Sequence, residues 1–237
     1  MIIKTNDYTP DFLTEPEKSN VTMFNDLVKL DRGNLICLAA CPGMGKTSLA
    51  LHMALEFAEK SDKAVYIFSH EMSAEQIYSR MLCYLAEVDL YSMHQKEFFH
   101  GESERLSAAS ERLQKLNIII NDETFLTVTQ IEEKMQDIDN LGLVIIDYVQ
   151  LIKSDVLREK REEEIGGISR SLKILTRKKN IPIVIISQLH RGIERRIDKR
   201  PKLSDIALVG GSTEVDSDTV IFIYRDTYYN LDDSTED

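Results

Sequence analysis

Short apolar runs alternate along the chain with longer segments in which apolar residues recur every three or four positions. The runs predict strands at 35–40, 64–69, 117–121, 143–147, 183–188 and 219–224. They are rich in Val, Ile and Leu, which is typical of parallel strands covered on both faces. The periodic segments predict helices at 45–60, 73–86, 103–115 and 168–179, and one from 127 or 129 to about 140. This alternation predicts an α/β fold with a doubly wound, mostly parallel sheet and helices on both faces.

The remaining segments predict less regular structure. Residues 1–20 are polar and contain two prolines, so we expect a loose lead-in to a single domain over 21–237. Residues 21–30 have the apolar spacing of a short helix. We expect a charged, mobile loop with a Gly-Gly pair at 154–167, an irregular or hairpin segment at 190–202, and a flexible glycine-rich loop at 208–213.

The first predicted strand runs into a turn suited to phosphate binding. Gly43 and Gly45 allow the backbone to turn tightly, so that its N–H groups can point at an anion, and the helix that follows adds the positive end of its dipole. Lys46 would reach the β- and γ-phosphates of ATP, and the Thr47 hydroxyl would bind Mg²⁺. The predicted nucleotide-binding residues are Ala40, Cys41, Pro42, Gly43, Met44, Gly45, Lys46, Thr47 and Ser48.

Ala40 departs from the strict phosphate-loop pattern G-x-x-x-x-G-K-[S/T], which has glycine at this position. A plain turn between a strand and a helix is therefore the alternative interpretation. The Gly-Lys-Thr sequence lies where a helix must begin, and further polar residues follow at the ends of later strands. Both facts favour the phosphate loop.

Three polar residues end other predicted strands, and the carboxyl ends of such strands are where open α/β sheets bind ligands. Asp147 would hold the Mg²⁺ ion opposite the phosphate loop, Glu71 would orient the attacking water, and Gln188 would be a polar sensor. Each has a structural alternative. Glu71 could be an acid favoured by a helix dipole, and the other two could be ordinary polar residues at strand ends.

Composition limits the class of protein. The 237-residue chain is 43% hydrophobic, enough for a sizeable core, and no apolar stretch is long enough for a membrane span. The three cysteines are odd in number and lack metal-ligand spacing, which indicates reduced thiols and a cytoplasmic location. A net charge of −11 argues against a general nucleic-acid binder.

One segment reverses this charge balance, because 170–202 contains eleven Lys or Arg residues and only two acids. Such a segment fits either a basic groove or a solvated helix face followed by a charged loop. Composition does not decide between them.

Several motifs occur in an order that resembles one known family, the C-terminal, RecA-like ATPase domain of DnaB-type replicative DNA helicases. The resemblance covers most of residues 20–229. The matching stretches are Ala-Cys-Pro-Gly-Met-Gly-Lys-Thr at 40–47, Ser-His-Glu-Met-Ser at 69–73, Asp-Tyr-Val-Gln-Leu at 147–151, Ile-Ser-Arg-Ser-Leu-Lys at 168–173, Ser-Gln-Leu-His-Arg at 187–191, Asp-Lys-Arg-Pro-Lys-Leu-Ser-Asp at 198–205 and Tyr-Arg-Asp-Thr-Tyr-Tyr at 224–229. The family commonly has alanine at the position of Ala40.

The resemblance implies an ATP hydrolase that forms a ring, expected to be a homohexamer, and pulls one DNA strand through its centre without sequence preference. It makes Glu71 the catalytic glutamate and Gln188 the sensor, with Lys46 and Mg²⁺ at the phosphates. Lys199 and Arg200 would act as basic fingers on the γ-phosphate of a neighbouring subunit. Arg225, inside the last motif, would contact the nucleotide. Loops near 154–167 and 206–216 would face the central channel.

Two departures from the family pattern keep a second hypothesis open. The family's N-terminal helical domain is absent, so the chain is either a truncated form or a stand-alone relative, and contact with a primase is not expected. The last DNA-facing loop, 207–218, lacks the family's Arg-Glu pair. The alternative to a helicase motor is therefore an ATP-binding module that regulates or loads a partner protein and binds DNA weakly. A small-molecule kinase is less favoured, because no acceptor pocket is indicated.

Overall fold

A seven-stranded sheet forms the centre of the protein in a computed structural model, which describes residues 2–4, 30–95, 101–156, 159–210 and 213–229. The strands are β1 (Ile2–Lys4), β2 (Leu35–Ala40), β3 (Ala64–Ser69), β4 (Ile118–Asn121), β5 (Leu141–Asp147), β6 (Ile183–Gln188) and β7 (Thr219–Phe222). Their spatial order is β1-β4-β3-β5-β6-β2-β7. β1 pairs antiparallel with β4, and the other pairs are parallel. The predicted doubly wound, mostly parallel α/β fold is confirmed.

Helices connect the strands and cover both faces of the sheet. They are α1 (Lys46–Lys60), α2 (Ala74–Ala86), α3 (Leu90–Gln95), α4 (Glu102–Gln114), α5 (Val128–Gln136), α6 (Arg161–Lys179), α7 (Leu203–Gly210), α8 (Thr213–Asp216) and α9 (Asp226–Tyr229). Short 3-10 helices occur at Val149–Leu151 and Arg191–Arg195. None of the helices in the described ranges has both the length and the apolar character needed to span a lipid bilayer.

Two apolar clusters lie on opposite sides of the sheet, because successive side chains of a strand point to opposite faces. In β2, Ile36 and Leu38 join the cluster under α1, α2 and α4, whereas Leu35 and Cys37 join the cluster under α5 and α6. The central strands are buried on both faces, so their carboxyl ends are held at fixed positions relative to one another.

Local capping fixes two helix starts. Ser73 and Gln76 form the predicted capping box before α2, with both reciprocal hydrogen bonds present. For α5, where two caps were possible, Thr127 and Gln130 form the box. The helix ends at Gln136, earlier than the predicted end near 140.

The prediction of a loop at 154–167 is wrong for the second half of this range, because α6 begins at Arg161 and includes the Gly-Gly pair. Three glutamates occupy its first turn, where the helix dipole favours negative charge. Ile165 is buried there and extends the apolar stripe of α6 by one turn. These gains outweigh the low helix propensity of the two glycines.

The glycine-rich loop expected at 208–213 is also partly wrong, since residues 208–210 continue α7. The Asp205 carboxylate accepts a hydrogen bond from the Lys202 N–H at 2.7 Å and closes the start of that helix. Residues 211–212, and the helix expected at 21–30 up to residue 29, lie outside the described residues. Residues 2–4 differ from the expected loose lead-in, because they form β1 at the edge of the sheet.

Candidate nucleotide-binding site

The strand register brings the predicted site residues to one edge of the sheet. Ala40 at the end of β2 lies opposite Gln188 of β6, and Ser69 at the end of β3 lies opposite Asp147 of β5. Since β3, β5, β6 and β2 are consecutive neighbours, the residues that follow them share one carboxyl edge. This is the edge at which open parallel sheets bind ligands.

The turn after Ala40 has the conformation that phosphate binding requires. Gly43 has a φ of 77° and Gly45 a φ of 94°, in the left-handed region that favours glycine. A Cβ atom at either position would meet nothing within 4 Å, so the backbone angle, not lack of space, requires glycine. Gly45 is the N-cap of α1 and makes no side-chain cap hydrogen bond. The first N–H groups of the helix are therefore available to an anion.

Lys46 is folded back over this turn. Its Nζ donates to the Cys41 carbonyl at 2.9 Å, and the residue is only 9% exposed. Burial lowers the pKa of Lys46, while the negative charges of Asp147 and Glu71 oppose that shift. A phosphate group would favour the charged ammonium in the same way as these carboxylates.

Thr47 and Asp147 meet where a divalent cation would bind. The Thr47 hydroxyl donates to the Asp147 carboxylate at 2.6 Å. Asp147 is 3% exposed, and this burial raises its pKa, which the Thr47 hydrogen bond partly offsets. A hydroxyl and a carboxylate are oxygen ligands of the kind Mg²⁺ prefers, and a cation here would compensate a buried negative charge. The two residues therefore fit a magnesium site.

Glu71 lies in a turn that is fixed from both sides while its own side chain stays exposed. The backbone N–H of His70 donates to the Asp147 carbonyl at 2.7 Å, which joins this turn to β5. The His70 ring lies 2.9 Å from the Glu123 carbonyl, and because a carbonyl only accepts, Nδ1 carries the proton. Burial lowers the pKa of His70. The turn is thus rigid, and the Glu71 carboxylate remains accessible at the sheet edge.

Gln188 is held by a residue to which sequence reasoning gave no role. The Gln150 amide nitrogen donates to the Ser187 hydroxyl at 3.1 Å and to the Gln188 carbonyl at 3.2 Å, and its oxygen accepts from the Gln188 N–H at 3.4 Å. Arg161, at the start of α6, donates at 2.9 Å to the carbonyls of Gln150 and Ile152. The segment after Asp147 therefore positions the strand end that carries Gln188.

Lys199 and Arg200, called here the finger pair, have aromatic rings as their side-chain partners. The Lys199 Nζ is 5.6 Å from the Tyr229 ring centroid, and the Arg200 guanidinium is 5.4 Å from that of Tyr224. Arg225 is exposed beyond β7, and among the described residues its side chain makes no hydrogen bond to the phosphate loop. The structure thus groups Lys46, Thr47, Asp147, Glu71 and Gln188, whereas the contacts that it shows for the finger pair are with the rings of Tyr224 and Tyr229.

The basic segment 170–202 is partly neutralised by acids from elsewhere in the chain. Its ion pairs are Lys173 with Asp218, Lys178 and Lys179 with Glu132, Arg170 with Asp216, and Arg196 with Asp205, at N–O distances between 2.5 and 3.7 Å. The lysines on α6 therefore support the packing of neighbouring elements as much as they create a positive surface. This favours the helix-face interpretation for residues 170–179.

Comparison with known proteins agrees with this geometry. The model of the DnaB-like helicase C terminal domain family matches residues 19–237. The chain belongs to this family. It is 41% identical over 205 residues to the replicative DNA helicase DnaB of Geobacillus stearothermophilus, covering 85% of this chain and 45% of that protein. It is 40% identical over 203 residues to the replicative DNA helicase DnaC of Bacillus subtilis, covering 84% of this chain and 44% of that protein.

Two solved structures share the fold. One is described as an ATPase domain and has a TM-score of 0.80 and 31% identity, with 87% of this chain and 74% of that chain covered. The other is a DnaB-like replicative helicase, described together with its interactions with primase, and has a TM-score of 0.80 and 30% identity, with 87% of this chain and 51% of that chain covered. The chain spans about half the length of the curated relatives it matches.

Proposed function

We propose that this chain is the ATP-hydrolysing motor domain of a DnaB-like helicase and moves along single-stranded DNA. The observation that carries the proposal is the contact between Thr47 and Asp147, at 2.6 Å, beside a buried Lys46 and a glycine turn. This combination suits a nucleoside triphosphate with its cation. Membership in the helicase family supports the choice of DNA as the second ligand.

In the proposed reaction each residue has one task. The N–H groups that follow Gly45 bind phosphate oxygens, and Lys46 leaves the Cys41 carbonyl to contact the β- and γ-phosphates. Thr47 and Asp147 would hold Mg²⁺, which supplies positive charge to the transferring phosphoryl group. Glu71 orients a water for attack on the γ-phosphorus, and the β–γ bridging bond breaks to give ADP and phosphate. Gln188 senses the γ-phosphate position. Arg225, exposed beyond β7, would reach the nucleotide with its side chain only once the nucleotide is bound.

The proposed assembly is a ring, expected to be a hexamer, in which each site is completed by the next subunit. The finger pair does not contact the phosphate loop of its own chain and lies on aromatic rings instead. This arrangement is compatible with a role at the γ-phosphate of a neighbour. There it would stabilise negative charge in the transition state.

The test is the rate of ATP hydrolysis with and without a mixed-sequence single-stranded oligonucleotide, at increasing salt. We expect DNA to stimulate hydrolysis and the stimulation to weaken as salt rises, because binding to the phosphate backbone releases counterions. Lys46→Ala should abolish tight nucleotide binding and hydrolysis. Lys60→Ala, an exposed lysine at the other end of α1, is the matched control and should be active.

The alternative, an ATP-binding module that loads or regulates a partner, has one structural observation in its favour. Several lysines and arginines of the basic segment are paired with acids of the same chain, which reduces the charge available to DNA. Hydrolysis that DNA does not change at low salt would favour this module over the motor. Strand displacement by the chain alone would exclude the module.

A further inference from the structure

We infer that Phe125 and Lys153 are positioning residues whose contact, called here the ring contact, connects the turn that carries Glu71 with the segment leading toward the proposed DNA channel. The inference rests on the proposed function, since it names the residues through which DNA would raise the rate of hydrolysis. Its basis is the loop between β4 and α5, residues 122–127, which is bonded to both segments.

The β4–α5 loop supports the turn that carries Glu71 at two points. The Nδ1 atom of His70 donates to the Glu123 carbonyl at 2.9 Å, and the backbone N–H of Ala74 donates to the Asp122 carboxylate at 2.9 Å. The first of these contacts lies directly before Glu71 in the chain, and the second lies three residues after it. Because the Glu71 side chain is exposed, its position depends on this backbone.

The same loop is joined to the segment that follows Asp147. The Lys153 N–H donates to the Leu126 carbonyl at 2.9 Å, and Thr127 and Lys153 form a parallel bridge. Lys153 directly precedes residues 154–160, called here the channel segment, which belong to the stretch that we expect to face the central channel. The β4–α5 loop therefore lies between the channel segment and the catalytic turn.

Phe125, in the middle of this loop, has a backbone conformation that its side chain disfavours. Its φ is 61°, in the left-handed region that bulky residues rarely adopt. The ring is 55% exposed, so burial in the core does not offset the strain. A glycine would adopt this angle without strain and would lose only the ring. The conformation therefore indicates that the ring itself has a role.

The contact that the structure shows for this ring is with Lys153, whose Nζ lies 5.2 Å from the ring centroid, within the range of a cation–π interaction. A single hydrogen bond, such as that from Lys153 to Leu126, acts as a pivot. A second contact at the adjacent residue of the loop also fixes the orientation. We therefore expect a displacement of the channel segment by DNA to move the β4–α5 loop with it, and His70 to transmit that movement to Glu71.

The test measures the stimulation ratio, which is the rate of hydrolysis with a saturating single-stranded oligonucleotide divided by the rate without it. We expect Phe125→Gly to lower this ratio about fivefold or more, because the loop no longer follows Lys153. The affinity for the oligonucleotide, measured without nucleotide, should change by less than about twofold. Phe125→Tyr keeps the ring and should keep most of the ratio.

Glu87→Gly is the matched control, because Glu87 also has a left-handed φ, 54°, but lies at the end of α2. Denaturant unfolding should show both glycine variants folded, and only Phe125→Gly should lose stimulation. Lys153→Ala keeps the backbone bond to Leu126 and should reproduce the loss. The variant with both changes, Phe125→Gly and Lys153→Ala, should lose no more than either alone, because the two side chains form one contact.

An unchanged ratio in Phe125→Gly, beside a wild type that DNA stimulates, would overturn the inference and leave the proposed function standing. Loss of oligonucleotide affinity of about tenfold or more, the scale of a lost base-stacking contact, would also overturn it, since the ring would then bind DNA directly. So would losses that add in the double variant. If DNA does not stimulate the wild type, the proposed function and the inference fall together.

Discussion

The two carboxylates at the sheet edge have opposite environments. Asp147 is almost completely buried and bonded to Thr47, whereas Glu71 is exposed at the end of the neighbouring strand. A buried carboxylate with a hydroxyl beside it suits a cation, and an accessible one suits a water molecule. This difference separates the metal-binding role from the water-orienting role.

We therefore predict that Glu71→Gln slows ATP hydrolysis about a hundredfold or more, the scale expected when a positioned base is lost. Nucleotide affinity should stay nearly unchanged, because the phosphate loop and the Thr47–Asp147 pair are intact. Single-turnover hydrolysis and equilibrium binding of a labelled nucleotide measure the two quantities separately. Glu75→Gln, at an exposed position in the first turn of α2, is the control. Normal turnover in Glu71→Gln would assign the role to another residue.

At the residue scale, the sequence predicted the residues adjacent to a recognisable turn or strand end and missed those that act across the fold. Lys46 and Thr47 follow a glycine turn, and Asp147 ends an apolar run, so local pattern sufficed to find them. Gln150 was not assigned a role, because its partners lie in a distant segment of the chain. Only the strand order brings Gln150 to Gln188, and no local pattern contains that order.

The sequence predicted the correct type of each helix and strand near the site, but some of their first and last residues differ from the prediction. α6 begins seven residues before the predicted start, since Glu162, Glu163 and Glu164 stabilise its first turn and Ile165 is buried. The earlier start has a consequence for the site. It places Arg161 where its guanidinium reaches the Gln150 and Ile152 carbonyls, and so connects α6 to the segment after Asp147.

We predict that Gln150→Leu slows hydrolysis at least tenfold and lowers the free energy of unfolding by about 1–3 kcal/mol, because Ser187 and the Gln188 backbone lose their partner. Gln95→Leu, at an exposed position on α3, should change neither quantity. Denaturant unfolding and steady-state hydrolysis under conditions where the protein is folded measure the two effects. Loss of stability with normal hydrolysis would show that Gln150 supports the fold without positioning Gln188.

At the scale of the whole molecule, the fold class followed from the alternation of strands and helices, but the arrangement did not. The spatial order β1-β4-β3-β5-β6-β2-β7 depends on which helix covers which face, and that information is spread over both apolar clusters. The distribution of charge on the folded protein could not be predicted from the sequence either. The basic segment is conspicuous in the sequence, yet Glu132, Asp216 and Asp218 pair with it only after folding.

Burial of ionisable side chains in the core makes the stability of the folded protein depend on pH in the alkaline range. The Cys83 thiol is 4% exposed, and burial raises its pKa from 9.0 to about 12. Burial likewise raises the pKa of Tyr66 from 10.0 to about 12. The unfolded chain releases these protons at lower pH than the folded protein does. Their contribution to stability is therefore complete below about pH 9 and is lost as the pH rises toward 12.

We predict that the free energy of unfolding decreases above pH 9. Cys83→Ala should make this decrease shallower by about 1 kcal/mol per pH unit, because the variant lacks a thiol that loses its proton at lower pH in the unfolded chain than in the folded protein. The small cavity left by the sulfur lowers stability by an amount that does not depend on pH, so it shifts the curve without changing its slope. Denaturant unfolding at pH 7, 9, 10 and 11 distinguishes the offset from the slope. Parallel curves for wild type and Cys83→Ala would mean that the thiol loses its proton in the folded protein as easily as in the unfolded chain, and that this side of the sheet admits water.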